Sequence, residues 1–262
     1  MSLYFAETGK RDAQSIVFIH GAGVTDWMWK PQTDYFSDWD CILPHLPDHG
    51  QSVNLKLTNQ KECAEMLLGL IQKRANGGKA HIVGHSLGGQ LVILMAAMDP
   101  GLILNSVACS ANFKRMFLMD LMAKPIFYKL SVAMMKSESI LDTQVKQFGL
   151  KDPVMIAGAK QDFRLLTADR LQRQYEVGYY QAALPKGLEK SPVPTLILAG
   201  KKEPGIIIES ARMALASLPD AKAFLVKDAN HVWTWTKSTV LNLLIENWIQ
   251  DRPLPMENIE QL

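Results

Sequence analysis

The feature that most constrains this 262-residue chain is a glycine-rich turn between two apolar segments. Residues 84–88 read G-H-S-L-G, follow the strand-like segment 79–83 and run into the apolar, helix-like segment 87–98. A sharp turn from strand to helix crowds its backbone, so small residues are needed two positions on either side of its centre. The turn therefore holds Ser86 above the edge of a sheet and aims the amide of Leu87 in the same direction.

Strand-like and helix-like segments alternate along most of the chain. We predict strands at 15–20, 39–44, 79–83, 105–110, 195–199 and 221–227, and helices at 62–74, 87–98 and 238–250. Several of these strands are apolar almost without interruption, which is typical of a parallel sheet covered on both faces. The alternation predicts an α/β fold with a doubly wound, mostly parallel sheet.

Residues 113–190 break the alternation, and we call this segment the insertion. It shows no convincing strand, and it contains six of the 13 methionines of the chain. We interpret it as a helical segment between the fourth and fifth predicted strands. Residues 1–112 and 191–262 would then form one α/β domain.

Part of the insertion has apolar residues at roughly helical spacing, namely Phe117, Leu118, Leu121, Met122, Ile126 and Phe127. Pro125 is expected to bend or divide that helix. The apolar residues are expected either to pack as core between insertion and sheet or to line a substrate pocket. Basic residues punctuate the same region: Lys114, Arg115, Lys124, Lys129 and Lys136. We expect these basic side chains to lie on an ordinary solvent-exposed face, and docking on a membrane surface is the alternative.

Composition excludes several classes of protein. The net charge of +2, with dispersed basic residues, argues against nucleic acid as a partner. The cysteines Cys41, Cys63 and Cys109 are scattered, and no cluster has metal-ligand spacing, so we expect no disulfide framework, metal or cofactor. Residues 1–7 do not resemble a signal peptide, and the apolar run 91–98 is too short to span a bilayer. We expect a cytoplasmic protein that binds a small molecule and does not insert stably into membranes.

Three motifs make the chain resemble proteins of the α/β-hydrolase fold over nearly its whole length. Residues 84–89 match the family's G-H-S-L-G-G, which is the most specific of the three. Residues 20–23 read H-G-A-G, similar to the H-G-x-G segment, and residues 46–52 are similar to the D-L-P-G-H-G-x-S loop. That loop departs from the pattern at His45 and Asp48, where Asp and Gly are usual. In this family, a helical insertion forms a cap over the strand ends.

The resemblance implies that Ser86 is a nucleophile. Haloalkane dehalogenase and epoxide hydrolase relatives use Asp at this place, so Ser86 argues against both. In the family, two backbone amides hold the oxyanion. Carried over, these are the amides of Leu87 and Ala22, with Gly23 as a second candidate for the latter.

A serine hydroxyl is a poor nucleophile near neutral pH and needs a positioned base. The triad order in this architecture is serine, acid, histidine. Of the six histidines, His231 alone follows Ser86 in the sequence, and it lies just after the strand 221–227. His231 is therefore the predicted base.

The family commonly places the acid in a G-x-x-D pattern after the strand that follows the insertion. Residues 200–203 read G-K-K-E, so the resemblance puts Glu203 there. Glutamate can orient a histidine as aspartate does, because the requirement is a carboxylate that accepts from Nδ1–H. Asp228, three residues before His231, remains the alternative.

These residues predict a serine hydrolase that cleaves an ester, or a thioester or amide, through an acyl-enzyme. A methionine-rich insertion without an arginine cluster favours a small to medium, uncharged, largely apolar substrate. Acyl transfer and carbon–carbon bond hydrolysis are alternatives on the same residues, since fold does not fix reaction. A non-catalytic ligand-binding protein on a hydrolase scaffold is the alternative from another class.

Overall fold

The computed structural model describes residues 2–115 and 124–262, which build one eight-stranded sheet. The strands are β1 Phe5–Gly9, β2 Ser15–Ile19, β3 Asp40–Pro44, β4 Ala80–His85, β5 Ile103–Cys109, β6 Thr195–Gly200, β7 Ala221–Val226 and β8 Ile259–Gln261. Their spatial order is β1-β3-β2-β4-β5-β6-β7-β8. Strands β2 to β7 pair in parallel, whereas β1 and β8 pair antiparallel at the two edges. The predicted fold class, a mostly parallel α/β sheet, is confirmed.

Burial on both faces explains why the inner strands read as continuous apolar runs. Along β2, Ile16 and Phe18 belong to one core cluster, while Val17 and Ile19 belong to the other, and all four are fully buried. Successive strand residues point to opposite faces, so a strand with a core on each side is apolar at every position.

Helices cover both faces of the sheet. They are α1 Lys30–Tyr35, α2 Gln60–Arg74, α3 Leu87–Met98, α4 Pro125–Met135, α5 Glu138–Gln147, α6 Pro153–Leu165, α7 Ala168–Tyr175, α8 Gly205–Ser217, α9 Trp233–Thr236 and α10 Ser238–Ile249. Helices α2, α3 and α8 supply the core on one face, whereas α10, with α5 and α6 of the insertion, supplies it on the other. Among the described residues, no helix combines the length and the apolar character needed to cross a membrane.

The described part of the insertion is helical, as α4 to α7 followed by a single π-helical turn at Glu176–Tyr180. Pro125 is the first residue of α4, where its missing N–H costs nothing. Residues 116–123 lie outside the described residues, so a bend or division of a helix at Pro125 stays a prediction. The expectation that Ile126 and Phe127 pack inward is wrong, because both are exposed. Tyr128 and Val132, four residues apart, form the inner face instead. The predictions for Phe117, Leu118, Leu121 and Met122 lie outside the described residues.

Polar contacts join the insertion to the loops at the carboxyl ends of the strands. The guanidinium of Arg173 on α7 donates two hydrogen bonds of 2.7 Å to the carboxylate of Asp48, which lies after β3. Gln90 on α3 donates to the backbone oxygen of Gly178 at 2.8 Å. Asp162 on α6 accepts from a side chain that follows β2, the indole of Trp27, at 2.6 Å. The insertion is therefore fixed to the segments that follow β2, β3 and β4, and Ser86 lies in the last of these.

Candidate active site

The turn that carries Ser86 is strained and is sterically restricted to glycine on both sides. Ser86 has φ +54° and ψ −114°, between the end of β4 and the start of α3. A Cβ on Gly84 would collide with the carbonyl of Gly88, and one on Gly88 would collide with the carbonyl of Ile19. The Ser86 amide donates to Cys109 O at 2.8 Å, which holds the turn against β5. Such a conformation costs about 1–3 kcal/mol and persists only where its surroundings determine it.

The predicted base lies beside the predicted nucleophile. His231 follows β7, and its Nε2 is 3.2 Å from Ser86 Oγ. Its other ring nitrogen, Nδ1, is 2.5 Å from Oε1 of Glu203. With the proton on Nδ1 donated to the carboxylate, Nε2 is free to accept the serine proton.

Glu203 has a fully buried carboxylate with partners on both oxygens. Oε2 accepts from the Gly200 amide at 2.6 Å and from Ser110 Oγ at 2.8 Å, which leaves Oε1 for His231. Ser110 Oγ in turn accepts from the indole of Trp233 at 2.9 Å. Sequence reasoning missed Ser110 and Trp233. The available signal was position: Ser110 follows β5, the neighbour of the nucleophile strand.

Asp228, the alternative acid, points elsewhere. Its side chain is 77% exposed and pairs with Lys202 Nζ at 3.0 Å. The hydrogen bond from Lys202 lowers the pKa of Asp228 below its usual value. The backbone of Lys202 also donates to Ala229 O at 2.8 Å, which joins the Glu203 turn to the His231 loop. The geometry therefore favours Glu203 as the partner of His231.

The segment after β2 presents the Ala22 amide, which is uncommitted among the described residues and follows Gly21 beside Ser86. Gly21 packs against Ser86, since a Cβ there would lie 3.3 Å from the serine Cβ. The Gly23 amide already donates to His49 Nε2 at 3.0 Å. Burial lowers the pKa of His49 to about 4, so this ring is neutral and can accept. Among the hydrogen bonds within the described ranges, none uses the Ala22 amide.

Leu87 supplies the other predicted oxyanion donor. It is the first residue of α3, and the first amides of a helix have no partner within the helix. The helix dipole adds partial positive charge at the same point.

His20 fixes the shape of this segment rather than contacting Ser86. Its Nε2 accepts from the Leu46 amide at 3.0 Å, so Nδ1 carries the proton and donates to Gly21 O at 2.7 Å. Burial, followed by the nearby His49, lowers the pKa of His20 well below its usual value. A neutral His20 can therefore make both hydrogen bonds at once.

Residues 16–239 match the model of the alpha/beta hydrolase family. The chain belongs to this family. It is 22% identical over 253 residues to the (E)-2-((N-methylformamido)methylene)succinate hydrolase of Acinetobacter baylyi, and the match covers 92% of each chain. A match to an AB hydrolase superfamily protein of Gibberella zeae is 29% identical over 112 residues and spans 41% of this chain but only 39% of that protein.

Among solved structures, the enol-lactonase from Burkholderia xenovorans LB400 is similar, with a TM-score of 0.73 and 17% identity. The similarity covers 95% of this chain and 96% of that chain. At this identity the likeness shows the fold alone. Family membership and the names of the relatives indicate hydrolase chemistry at a coarse level.

In this alpha/beta hydrolase, a neutral ring lies against the predicted base. The ring of His85 is 4.8 Å from that of His231, and His85 is buried. Its Nδ1 has no hydrogen-bond partner among the described residues. Burial, followed by the nearby His231, lowers the pKa of His85 well below its usual value. A neutral ring adds no repulsion when His231 becomes an imidazolium.

Proposed function

We propose that this alpha/beta hydrolase cleaves carboxylic esters by a serine mechanism through an acyl-enzyme. One observation carries the proposal: Ser86 Oγ, the His231 ring and the Glu203 carboxylate form a continuous chain of contacts of 3.2 and 2.5 Å. A serine, a base and an orienting acid in this order are the arrangement that activates a hydroxyl.

In the first half of the proposed reaction, Ser86 Oγ attacks the ester carbonyl while His231 Nε2 takes the serine proton. The Ala22 and Leu87 amides donate to the oxygen that becomes negative. Glu203 stabilises the imidazolium, and its burial away from water strengthens that interaction. His231 then gives the proton to the departing alcohol, and the acyl group stays on Ser86.

In the second half, a water molecule attacks the acyl-enzyme. His231 takes one proton from the water and returns it to Ser86 Oγ as the carbon–oxygen bond breaks. The products are a carboxylic acid and the original enzyme. Each proton that His231 accepts is thus given back within the same half-reaction.

We further propose an uncharged substrate with an apolar acyl or aromatic portion. Arg173 on α7 is the insertion's cation beside residues 20–23, the oxyanion segment, and Asp48 accepts two hydrogen bonds from it. The Arg173 guanidinium is therefore not available to bind a substrate carboxylate through two hydrogen bonds. The engagement of Arg173 by Asp48 therefore favours a neutral substrate over an anionic one.

A fluorophosphonate probe tests the activated serine. We expect covalent labelling of the wild type and of Asp228→Asn, and no labelling of Ser86→Ala. If the folded wild type is not labelled, the ligand-binding alternative is favoured and the proposal fails.

A substrate panel then tests the bond that is cleaved. It compares neutral esters of increasing acyl length with a thioester, an amide and an anionic ester. The amide and the anionic ester are included because of the relative named as a succinate hydrolase. Each buried methylene contributes up to about 0.8 kcal/mol, so kcat/KM should rise with length until the pocket is full. A flat profile, or a preference for the anionic ester, contradicts the proposed substrate class.

A further inference from the structure

The outer face of α4 is an exposed apolar stripe. Ile126, Leu130 and Met134 recur every four residues and are 64%, 58% and 51% exposed, and Phe127 beside them is 43% exposed. Residues four apart lie on one face of a helix, so these side chains form one continuous surface about 12 Å long. Contiguous exposed apolar surface of this kind marks an interaction site more often than isolated residues do.

The stripe is bordered by positive charge. Lys124, Lys129 and Lys136 are exposed on α4 and at its two ends, and the sequence of α4 contains no acidic residue. None of the three lysines makes an ion pair within residues 2–115 and 124–262. The surface is thus apolar along its centre and cationic along its border.

The acidic groups of the following helix do not cancel this charge. Glu138 and Asp142 on the following helix, α5, are both engaged by Lys160 of α6. Glu138 also accepts from Arg164 at 2.6 Å. The acids of α5 are therefore neutralised by the cations of α6.

We propose that the face formed by Ile126, Phe127, Leu130 and Met134, with its three lysines, docks on an anionic lipid surface. The apolar side chains would enter the interface, and the lysines would meet the headgroups. Stable peripheral binding takes two such signals together, and this helix combines them. This binding is peripheral and leaves the rest of the fold in water.

A second copy of the chain fits this surface less well. A two-fold interface brings the same patch of both copies together, so the lysines of one copy would face those of the other. The patch also offers four apolar side chains, whereas a standard interface uses about 20–30 residues a side. The charge therefore favours an anionic partner over self-association.

The surface is also connected to the candidate active site. Tyr128, on the inner face of α4, packs against Tyr175 of α7 with ring centroids 5.6 Å apart. On the same helix α7, Arg173 contacts Asp48 beside the oxyanion segment. Docking through α4 would thus hold the insertion at the lipid surface.

Vesicle flotation with full-length Ser86→Ala protein measures binding without any hydrolysis. We expect binding to phosphatidylglycerol–phosphatidylcholine vesicles at low salt, weaker binding at high salt, and little binding to phosphatidylcholine alone. The double variant Lys129→Glu/Lys136→Glu should bind at least about 25-fold more weakly, at roughly fivefold per lysine. The triple variant Ile126→Ser/Leu130→Ser/Met134→Ser should lose about tenfold or more.

Matched controls change other exposed residues: Lys61→Glu/Lys79→Glu for charge, and Val154→Ser/Met213→Ser/Met256→Ser for apolar surface. These controls should bind as the parent does. In the active background, all variants should keep their Tm and their activity on a soluble ester, because the substituted side chains are exposed.

Three results would overturn the proposal. The first is no binding of the parent to anionic vesicles at low salt. The second is equal loss in the control variants, or loss only in the charge variant, which would indicate non-specific electrostatics. The third is a concentration-dependent dimer that the triple variant abolishes, which would assign the surface to a second copy. Because binding is measured with Ser86→Ala, it succeeds or fails independently of the proposed esterase activity.

Discussion

A buried carboxyl between the insertion and the core should make the stability of this protein depend on pH. Asp162 Oδ2 accepts from Thr25 Oγ1 at 2.8 Å and from Trp27 Nε1 at 2.6 Å. Burial outweighs these two hydrogen bonds and raises the pKa of Asp162 from 3.8 to about 6. Nearby His45 lowers this pKa and nearby Asp26 raises it, but both effects are smaller. We consider the substitution Asp162→Asn.

The sign follows from the direction of the shift. Because folding raises the pKa of this carboxyl, the folded protein binds the proton more tightly than the unfolded chain does. The resulting stabilisation is present at low pH and is lost as the pH rises through about 6. The pKa change corresponds to about 3 kcal/mol at about 1.4 kcal/mol per unit. Asparagine keeps an oxygen for Thr25 and Trp27 but cannot ionise. Asp162→Asn should therefore raise the free energy of unfolding by up to about 3 kcal/mol at pH 7.5.

Near pH 4 the wild-type carboxyl is mostly protonated in the folded state, so the gain should shrink to below about 1 kcal/mol. The assay is urea unfolding, followed by tryptophan fluorescence and circular dichroism, at several pH values from 4 to 7.5. Asp38→Asn is the matched control, because Asp38 is exposed and its ion pair with a lysine is long, at 3.9 Å. Its effect should be near zero at every pH.

Two results would refute this reasoning. If Asp162→Asn destabilised the protein at pH 7.5, the ionised carboxylate would be a net stabilising partner of Thr25 and Trp27. If the gain were the same at pH 4 and pH 7.5, it would not arise from ionisation. Non-coincident transitions by the two probes would show that unfolding is not two-state, and the two proteins would then be compared by hydrogen exchange of α6.

The remaining predictions concern the candidate active site. Ser86→Ala and His231→Ala should each remove most esterase activity, and the double variant should be little worse, because residues that act as a unit are non-additive; losses that multiply would contradict a shared unit. Glu203→Gln should lower kcat by about two to four orders of magnitude with KM nearly unchanged, by analogy with other triad carboxylates, whereas Asp228→Asn should be mild; the reverse ranking would assign the acid to Asp228. Ser110→Ala should lower kcat by about tenfold to a hundredfold with little change in KM, since a hydrogen bond to a charged group contributes about 1.5–3 kcal/mol. Ser110→Thr should restore most of that loss, and a fall in Tm with unchanged kcat would make Ser110 merely structural.

The inner strands were predictable because their burial on both faces produces runs of consecutive apolar residues in the sequence. Parallel strands covered on both faces are apolar at nearly every position, as in residues 16–19 of β2 and 196–199 of β6. The edge strands β1 and β8 were not predicted. Their sequences, FAETG and IEQ, carry no such pattern, and they are strands because they pair with β3 and β7.

Helical spacing identified an apolar face around Ile126 and Phe127 but not the direction in which it points. Spacing defines a stripe, whereas the neighbouring helix decides which stripe is covered. In α4, Tyr128 and Val132 pack inward beside α7, so Ile126 and Phe127 lie outside. Their exposure contradicts the alternative in which they pack as core, and it makes this stripe the candidate docking surface.

The site residues differ in how local their signals are. The motif at Ser86 and the chain order of His231 are readable from the sequence. The hydrogen bond between Ser110 and Glu203 spans 93 residues, and that between Trp233 and Ser110 spans 123 residues. No local pattern encodes contacts at such separations, so only the fold brings these side chains together.

These long-range contacts explain how a glutamate can stand where the family commonly has an aspartate. Glutamate has one more rotatable bond, so holding its carboxylate against His231 costs more conformational entropy. The Gly200 amide and Ser110 Oγ restrain Oε2, which fixes the direction of Oε1. Trp233 holds Ser110 through its indole, while its own backbone amide closes the turn at Asn230, next to His231, at 3.2 Å. One residue therefore connects the restraint on Glu203 to the loop of His231, so that the longer side chain and the histidine keep a common geometry.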